Sequence, residues 1–514
     1  MRSIQRYFPG MMLIILICIA LQSCDKGFVE LNTNPNASGN ANPQFTFTKA
    51  QLDGTANAMA LLQGTMQYTT SFNDVAGFGA KYVLSQSNQT YLAFINGYPK
   101  EINEITDVIR EVAADPEQVN LLSAARVWRV YCFSRLTDLY GDIPYSEAGK
   151  GYTDNLYKPR YDTQESIYAD MLKELDEAAA GFDNGNANTF GAADLIYGGN
   201  VNQWRKFAYS LMLRCAMRMT RVNPGLAEKW ARKAITGGVI FLNADIAKTG
   251  GYLSFGQDIN KNPLALNLLN SDYIVSASSV PGFSNPEGGK FQDVFINELK
   301  ANKDPRLNVL SVVYINGRAD TTAALQKGMP ASLGAKPADF ISYSEPSQAT
   351  LLRLNSPYLL ITNAETNFLL AEAALRGWYT GNTAGMLYEN GIRASMQQWV
   401  LFGSAGIIPE NRISSYISEH RLREGSLEEQ LKQIYTQFWI GVYPNAQEVF
   451  ATYRRTGYPT LIPNNYVGNA TGGKIFRRML YPLIEQNLNG ENYQAAVARQ
   501  GPDDLLTRMW WDKP

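Results

Sequence analysis

The feature that most constrains this chain is a long helix that cannot continue past residue 141. Residues 121–148 read LLSAARVWRVYCFSRLTDLYGDIPYSEA. Leu122, Ala125, Trp128, Cys132, Leu136 and Leu139 recur every three or four positions, the spacing that gathers apolar side chains on one helix face. Gly141 is then available for a left-handed C-terminal position, and Pro144 forbids continuation while pushing Ile143 into extended backbone. Asp138 and Asp142 bracket the stop with short side chains suited to bonding nearby backbone N–H groups. By itself the stretch predicts a well-packed helix with a rigid corner, and it names no reaction.

The same 3.6-residue period recurs along the chain. Pro99 is expected to open a helix carrying Ile102, Ile105, Ile109 and Val112. Asp162 with Glu165 reads as a capping-box-like start for Ile167, Met171, Leu175 and Ala179, and Asn202 as a cap for Trp204, Phe207, Leu211, Cys215 and Met219. Residues 364–377 read as a helix with a glycine stop. Ser426 and Glu429 form a Ser-x-x-Glu box ahead of Leu431, Ile434, Tyr435, Phe438 and Trp439, in a helix that ends before Pro444. Strand patterns are confined to 309–315 and 351–354. The predicted class is mostly α with little β, although no repeat of about 34 residues stands out.

A chain of 514 residues can bury a large core in one sizeable or two ordinary domains. Its 46 basic and 47 acidic side chains leave no electrostatic footprint for nucleic acid. Zinc sites and most nucleophilic triads draw on histidine, and the one histidine, His420, sits among charged neighbours and reads as a solvated helix residue. No metal site and no cofactor is expected. Cys132 and Cys215 lie on apolar helix faces and read as small core residues, with a disulfide between them left open because sequence gives no distance.

Residues 1–23 are read as a lipoprotein signal peptide. Arg2 and Arg6 precede the apolar run MMLIILICIA, which is about half the ~20 residues that span a bilayer. Leu21-Gln22-Ser23-Cys24 has the shape of a lipobox, so lipidation is expected on Cys24. Residues 24–44, rich in asparagine, proline and glycine, read as a tether that reaches at most ~70 Å when stretched. The folded body is expected from 45 to 514. Asp25 is a residue that retains some lipoproteins at the inner membrane, so the face of display stays open on these residues alone.

Several motifs appear together. Thr137-Asp138-Leu139-Tyr140-Gly141-Asp142-Ile143-Pro144-Tyr145-Ser146-Glu147-Ala148 is followed by Pro159-Arg160-Tyr161-Asp162, Asp194-Leu195-Ile196-Tyr197-Gly198-Gly199-Asn200 and Arg214-Cys215-Ala216-Met217-Arg218. Further on come Asp304-Pro305-Arg306-Leu307, Ala371-Glu372-Ala373-Ala374, Tyr453-Arg454-Arg455-Thr456-Gly457, Arg477-Arg478-Met479-Leu480-Tyr481-Pro482 and Trp510-Trp511-Asp512. In this order they resemble the SusD/RagB family of nutrient-binding outer-membrane lipoproteins, in the branch with an Asn-Thr-Asn-Pro-Asn run near the mature start. Tyr209 departs from the asparagine usual there. The resemblance implies a scaffold of tetratricopeptide-like helix pairs with a loop-rich second half. It also implies display on the outer membrane facing the exterior, and a SusC-like TonB-dependent transporter as partner. Read physically, Arg306, Arg454, Arg455, Arg477 and Arg478 are structural, suited to buried carboxylates such as Asp138, Glu365 or Glu372.

Enzymatic motifs are absent from the sequence: 77–82 lacks the third glycine of a dinucleotide fingerprint, and 288–291 lacks the phosphate-loop spacing. Binding without chemistry is the expected role, with a glycan or oligosaccharide, or else a peptide, as ligand. The alternatives are a lipid-anchored glycoside hydrolase and a surface scaffold or adhesin. Sugars stack their C–H faces on aromatic rings and pair their hydroxyls with polar side chains, so loops mixing both are the candidates. Two qualify: Tyr82, Asn88, Tyr91, Asn96 and Tyr98 in one, and Asp272, Tyr273, Phe283 and Asn285 in the other.

Overall fold

Several helices of this protein, those after Thr163, Asn200, Thr362 and Ser426 among them, begin where a side-chain oxygen meets their first free N–H groups. The computed structural model describes residues 42–56, 60–72, 80–83, 90–186, 189–249, 262, 265, 289–316 and 318–514. Within the body Pro43–Pro514 the helices that matter here are α1 (Pro43–Ala56), α2 (Leu92–Asn96), α3 (Asn103–Val112), α4 (Val119–Tyr140), α5 (Gly151–Asp154), α6 (Gln164–Gly181), α7 (Val201–Arg218) and α8 (Pro224–Gly237). They continue with α9 (Asn363–Leu375), α10 (Ala384–Gln397), α11 (Leu427–Val442), α12 (Ala446–Thr456), α13 (Leu483–Leu488) and α14 (Gly490–Gln500). Strands are two to five residues long and form small sheets, among them β1 (Ile143–Pro144) antiparallel to β2 (Tyr161–Asp162). The architecture is mostly α.

The capping box of α11 forms as its sequence predicts: Ser426 Oγ accepts from Glu429 N–H, and Glu429 accepts from Ser426 N–H. Two other caps are shifted. Thr163, not Asp162, caps α6, because Asp162 lies in β2 and its carboxylate accepts instead from the Tyr145 and Ser146 N–H groups. Asn200 caps α7 two residues before Asn202, accepting from the N–H groups of Asn202 and Gln203. Pro99 does not open a helix. The chain is already helical from Leu92, and Pro99 sits inside a wide π turn, Gly97–Ile102, that joins α2 to α3. The strand expected at 309–315 begins only at Ser311, since Leu307–Leu310 close a helical turn. Residues 351–354 are a turn, and the nearby strand is Tyr358–Ile361, paired with Ala247–Thr249.

Successive helices pack as pairs: α4 on α6, α6 on α7, α7 on α8, then α9 on α10, both on α11, and α11 on α12. Contacts of α7 with α9 and of α4 with α12 join the two series. One apolar core runs through them from Phe47 to Trp511. The central helix α4 is buried on most of its circumference, not on one stripe. Its partly exposed positions are Val119, Leu122, Arg126, Arg129 and Arg135, so Leu122 lies on the outer side. Cys132 and Cys215 are free buried thiols, and burial pushes both pKa values up, which keeps them unreactive.

Where helices cross, arginines tie them together through buried carboxylates. Arg218 on α7 donates to Asp138 on α4 at 3.2 Å and to Glu448 on α12 at 2.7 Å. One turn earlier, Arg214 forks onto Glu365 of α9 at 2.6 and 2.8 Å. Asp138 also accepts from Tyr168 and from Trp511 Nε1, rather than from the backbone N–H groups expected of it. Arg455 takes Glu372, as the sequence suggests. Burial alone would raise the Glu372 carboxyl, but Arg455 and Arg376 hold it down at about 2. The other expected arginines find partners nearer in sequence: Arg306 with Asp304, Arg477 with Asp512, Arg478 with Asp503, while Arg454 donates to the Asp138 carbonyl.

Gly141 ends α4 at φ +81°, ψ −117°, outside the left-handed helical region expected and open only to glycine. A Cβ there would overlap Gln500 Oε1, which accepts from Asp142 N–H, while Gln500 Nε2 donates to the Tyr140 carbonyl. Gly141→Ala is therefore expected to lower the unfolding free energy by roughly 2–4 kcal/mol through strain and lost hydrogen bonds. Gly198→Ala is the control: its φ is +57° with open space around it, so it costs about 1–2 kcal/mol. Equal shifts of the two denaturation midpoints would reject this account of the corner.

Candidate functional site

The corner that stops α4 also builds a groove. The π turn after α2 reaches across to it: the Tyr98 hydroxyl donates to the Pro144 carbonyl at 2.6 Å, and the Phe94 and Tyr98 ring centroids lie 4.7 Å apart. A wide π turn is a common way to redirect side chains at functional sites. Here it sets Tyr98 and Pro99 on one wall.

The second wall is the loop from Glu147 to Arg160, pinned at both ends. At its start Asp162 accepts from the Ser146 N–H at 2.8 Å and the Ser146 hydroxyl at 2.9 Å. At its end Glu147 accepts from the Arg160 N–H at 2.8 Å and from its guanidinium at 2.7 Å. Between the pins lie α5 and Asn155, a left-handed residue at φ +55°. This loop holds Tyr152 and Tyr157 out into solvent, 91% and 69% exposed. Exposure of that degree is unusual for tyrosine and wants a reason.

The third wall is α13, with Ile484 and Glu485. Glu485 Oε2 accepts from the buried Tyr161 hydroxyl at 2.7 Å. Asn489 and Asn492 clamp the far end by donating to the carbonyls of Pro159 and Lys158 at 2.9 and 3.0 Å. The enclosed volume is about 420 Å³, within the usual range for a small-molecule site of about 300–1,000 Å³. Apolar side chains and three tyrosines make most of the lining; Asn103, Glu147 and Glu485 are its polar members.

The electrostatics suit binding. The Arg160 backbone N–H, with its guanidinium, holds the Glu147 carboxyl below its ordinary range, so it stays ionised. A glycosidase acid needs the opposite, a carboxyl whose pKa is raised. Burial, then the neighbouring Glu485, pushes the Tyr98 phenol well up, so it remains a neutral donor.

Of the residues expected from sequence, Tyr98 lines the groove. Tyr91 caps α2 and Asn96 ends it, both half-buried and outside the lining. Tyr82 departs from expectation. It is 0% exposed, and its carbonyl accepts from Ala470 N–H at 2.8 Å, so its ring offers no face to a ligand in this structure. Asn88, Asp272, Tyr273, Phe283 and Asn285 lie outside the described residues. Sequence reasoning missed Tyr152, Tyr157, Asn103, Glu147 and Glu485. For the first two a signal existed, since GYTDNLYKP puts two aromatics in a loop without helical period. For Asn103 and Glu485 none did, because both sit within or beside ordinary helices. His420, read as solvated, is half-buried and stacks on Tyr416 at 4.0 Å. Among the described residues no group of three or more His, Cys, Asp or Glu is placed to hold a metal ion.

A family model described as SusD-like, starch-binding and associating with the outer membrane, matches residues 35–482. No curated protein sequence matches the chain. Among solved structures, one described as a chitin-binding protein is 29% identical with a TM-score of 0.79, covering 92% of this chain and 100% of its own. A SusD homologue from Bacteroides uniformis is 29% identical with a TM-score of 0.75 over the same shares. A chitin-binding SusD homologue from Flavobacterium johnsoniae is 26% identical at 0.72, covering 92% and 97%.

Proposed function

The chain belongs to the SusD-like family, associated with the outer membrane, and on that premise we propose that it is a lipid-anchored receptor for oligosaccharides. It captures its ligand by equilibrium binding and passes it to a SusC-like TonB-dependent transporter, over which it opens and closes as a lid. It performs no covalent chemistry. Lipid on Cys24 holds it to the outer membrane, facing the exterior, and the tether runs from Cys24 to residue 42 rather than 44, since Pro43 and Gln44 open α1. What supports the ligand class is two tyrosines, Tyr152 and Tyr157, held almost bare at the edge of a groove of about 420 Å³. Their rings are offered to the C–H faces of sugars, and Asn103 stands beside them for hydroxyls. Two of the structural relatives are described as chitin-binding, which makes chito-oligosaccharides the first probe.

The test is calorimetry on the full-length chain in detergent, with chito- and malto-oligosaccharides as ligands. Replacing Tyr152 and Tyr157 together by alanine is expected to weaken binding roughly tenfold or more, at an unchanged melting temperature, because both rings are exposed. Equal affinity in the double variant would remove the groove from the reading.

A further inference from the structure

We infer that the groove selects a ligand carrying a protonated amine, an amino sugar with its amine free, and that Glu485 is the counter-charge. The inference rests on the oligosaccharide reading and narrows it. Two carboxylates line the groove, and no lysine or arginine does. They are not equivalent. Glu147 is occupied: both its oxygens are bonded by Arg160, through the backbone N–H and the guanidinium. Glu485 is not. Its Oε2 accepts from Tyr161 at 2.7 Å and from Asn489 at 3.3 Å. Its Oε1 has no hydrogen-bond donor, and no basic side chain pairs with it, among the described residues. Arg499, on α14, is engaged elsewhere, donating to Asp142 and to the Tyr161 carbonyl.

A carboxylate oxygen with no protein donor, beside apolar walls, is free to pair with a cation that a ligand brings. The buried Tyr161 hydroxyl fixes its orientation, so the open oxygen is preorganised. The rings of Tyr98, Tyr152 and Tyr157 line the same groove, and an ammonium group is attracted both to a carboxylate and to ring faces. A neutral sugar would find less here. Its hydroxyls can use the Asn103 amide and the exposed Tyr152 and Tyr157 hydroxyls, but they carry no charge to pair with Glu485. Acidic sugars would meet two carboxylates.

The experiment compares a glucosamine tetramer, its fully N-acetylated counterpart, maltotetraose and tetralysine, titrated into the full-length chain in detergent. The wild type is expected to bind the free-amine tetramer roughly tenfold tighter than the acetylated one at low salt. That preference should shrink towards 1 M salt, where the Debye length falls to about 3 Å. Glu485→Gln, which keeps the side-chain shape and an oxygen for the Tyr161 bond, should lose the preference for the free-amine tetramer over the acetylated one. Equal affinities in the wild type, or a preference that survives in Glu485→Gln, overturn the inference alone. Binding of none of the sugars overturns the oligosaccharide reading and the inference with it. Binding of tetralysine without the amino sugar assigns the carboxylate to peptides and overturns the sugar class.

Discussion

Arg218→Met is expected to lower the unfolding free energy by roughly 3–5 kcal/mol, the cost of removing one partner from a buried ionic cluster. The Arg218 side chain is 1% exposed and holds three elements together: Asp138 at the end of α4, and Glu448 and Thr452 on α12, the last at 3.1 Å. Methionine of similar length fills the space but leaves two buried carboxylates with less compensation. Glu448 keeps one cation, Arg214 at 3.3 Å, and the Thr452 hydroxyl at 3.2 Å. Asp138, whose carboxyl burial already pushes up in the intact protein, loses the guanidinium that most opposes that rise. Such acids in the variant bind protons more readily folded than unfolded, so folding gains as pH falls. The deficit should therefore be larger at pH 8 than at pH 5. Urea or guanidinium denaturation of both proteins at the two pH values measures it. Arg126→Met provides the scale: that arginine pairs with Glu174 and Glu177 at the partly exposed edge of α4 and should cost under about 1 kcal/mol. Comparable losses for the two variants would show that the buried cluster contributes little to joining the helix series.

Cys24→Ser is expected to move nearly all of the protein from the membrane fraction to the soluble fraction. The proposed lipid contributes about 0.8 kcal/mol per buried methylene, so several acyl chains anchor firmly where one gives only marginal binding. Among the described residues no helix is long and apolar enough to cross a membrane. Fractionation after a high-salt wash, with the mass of the N-terminal peptide, reads the outcome. Full membrane retention of the serine variant, or an unmodified Cys24 in the wild type, would reject the anchor. The wash matters because contact with a transporter could retain some unlipidated protein, and such contacts between polar rims weaken with salt.

How much of the fold is legible in the sequence depends on the range of the interaction that decides each feature. The Ser426–Glu429 box and the helix 119–140 rest on neighbours within one or two turns, and both form as their residues imply. The caps at 163 and 200 sit one or two residues from where the sequence puts them, because two oxygens compete locally and, at the first, a distant demand settles it. Asp162 is claimed by the Tyr145 and Ser146 amides across β1 and β2, which frees Thr163 for α6. Pro99 defeats the local rule because a π turn, stabilised by what packs on it, tolerates a residue that an isolated helix would not.

The residues of this chain, taken alone, determined a mostly helical body, the stop at Gly141 and Pro144, the family through its ordered motifs, and the structural character of its arginines. Local periodicity, turn chemistry and composition suffice for those, since each acts through neighbours along the chain. Only the tertiary structure decided which carboxylate each arginine takes, that Tyr82 is interior, and that Tyr98, Tyr152, Tyr157 and Glu485 share one groove. Those four come from segments up to about 390 positions apart, and what brings them together is helix packing around α4, a property of shape and burial that no short window of sequence contains.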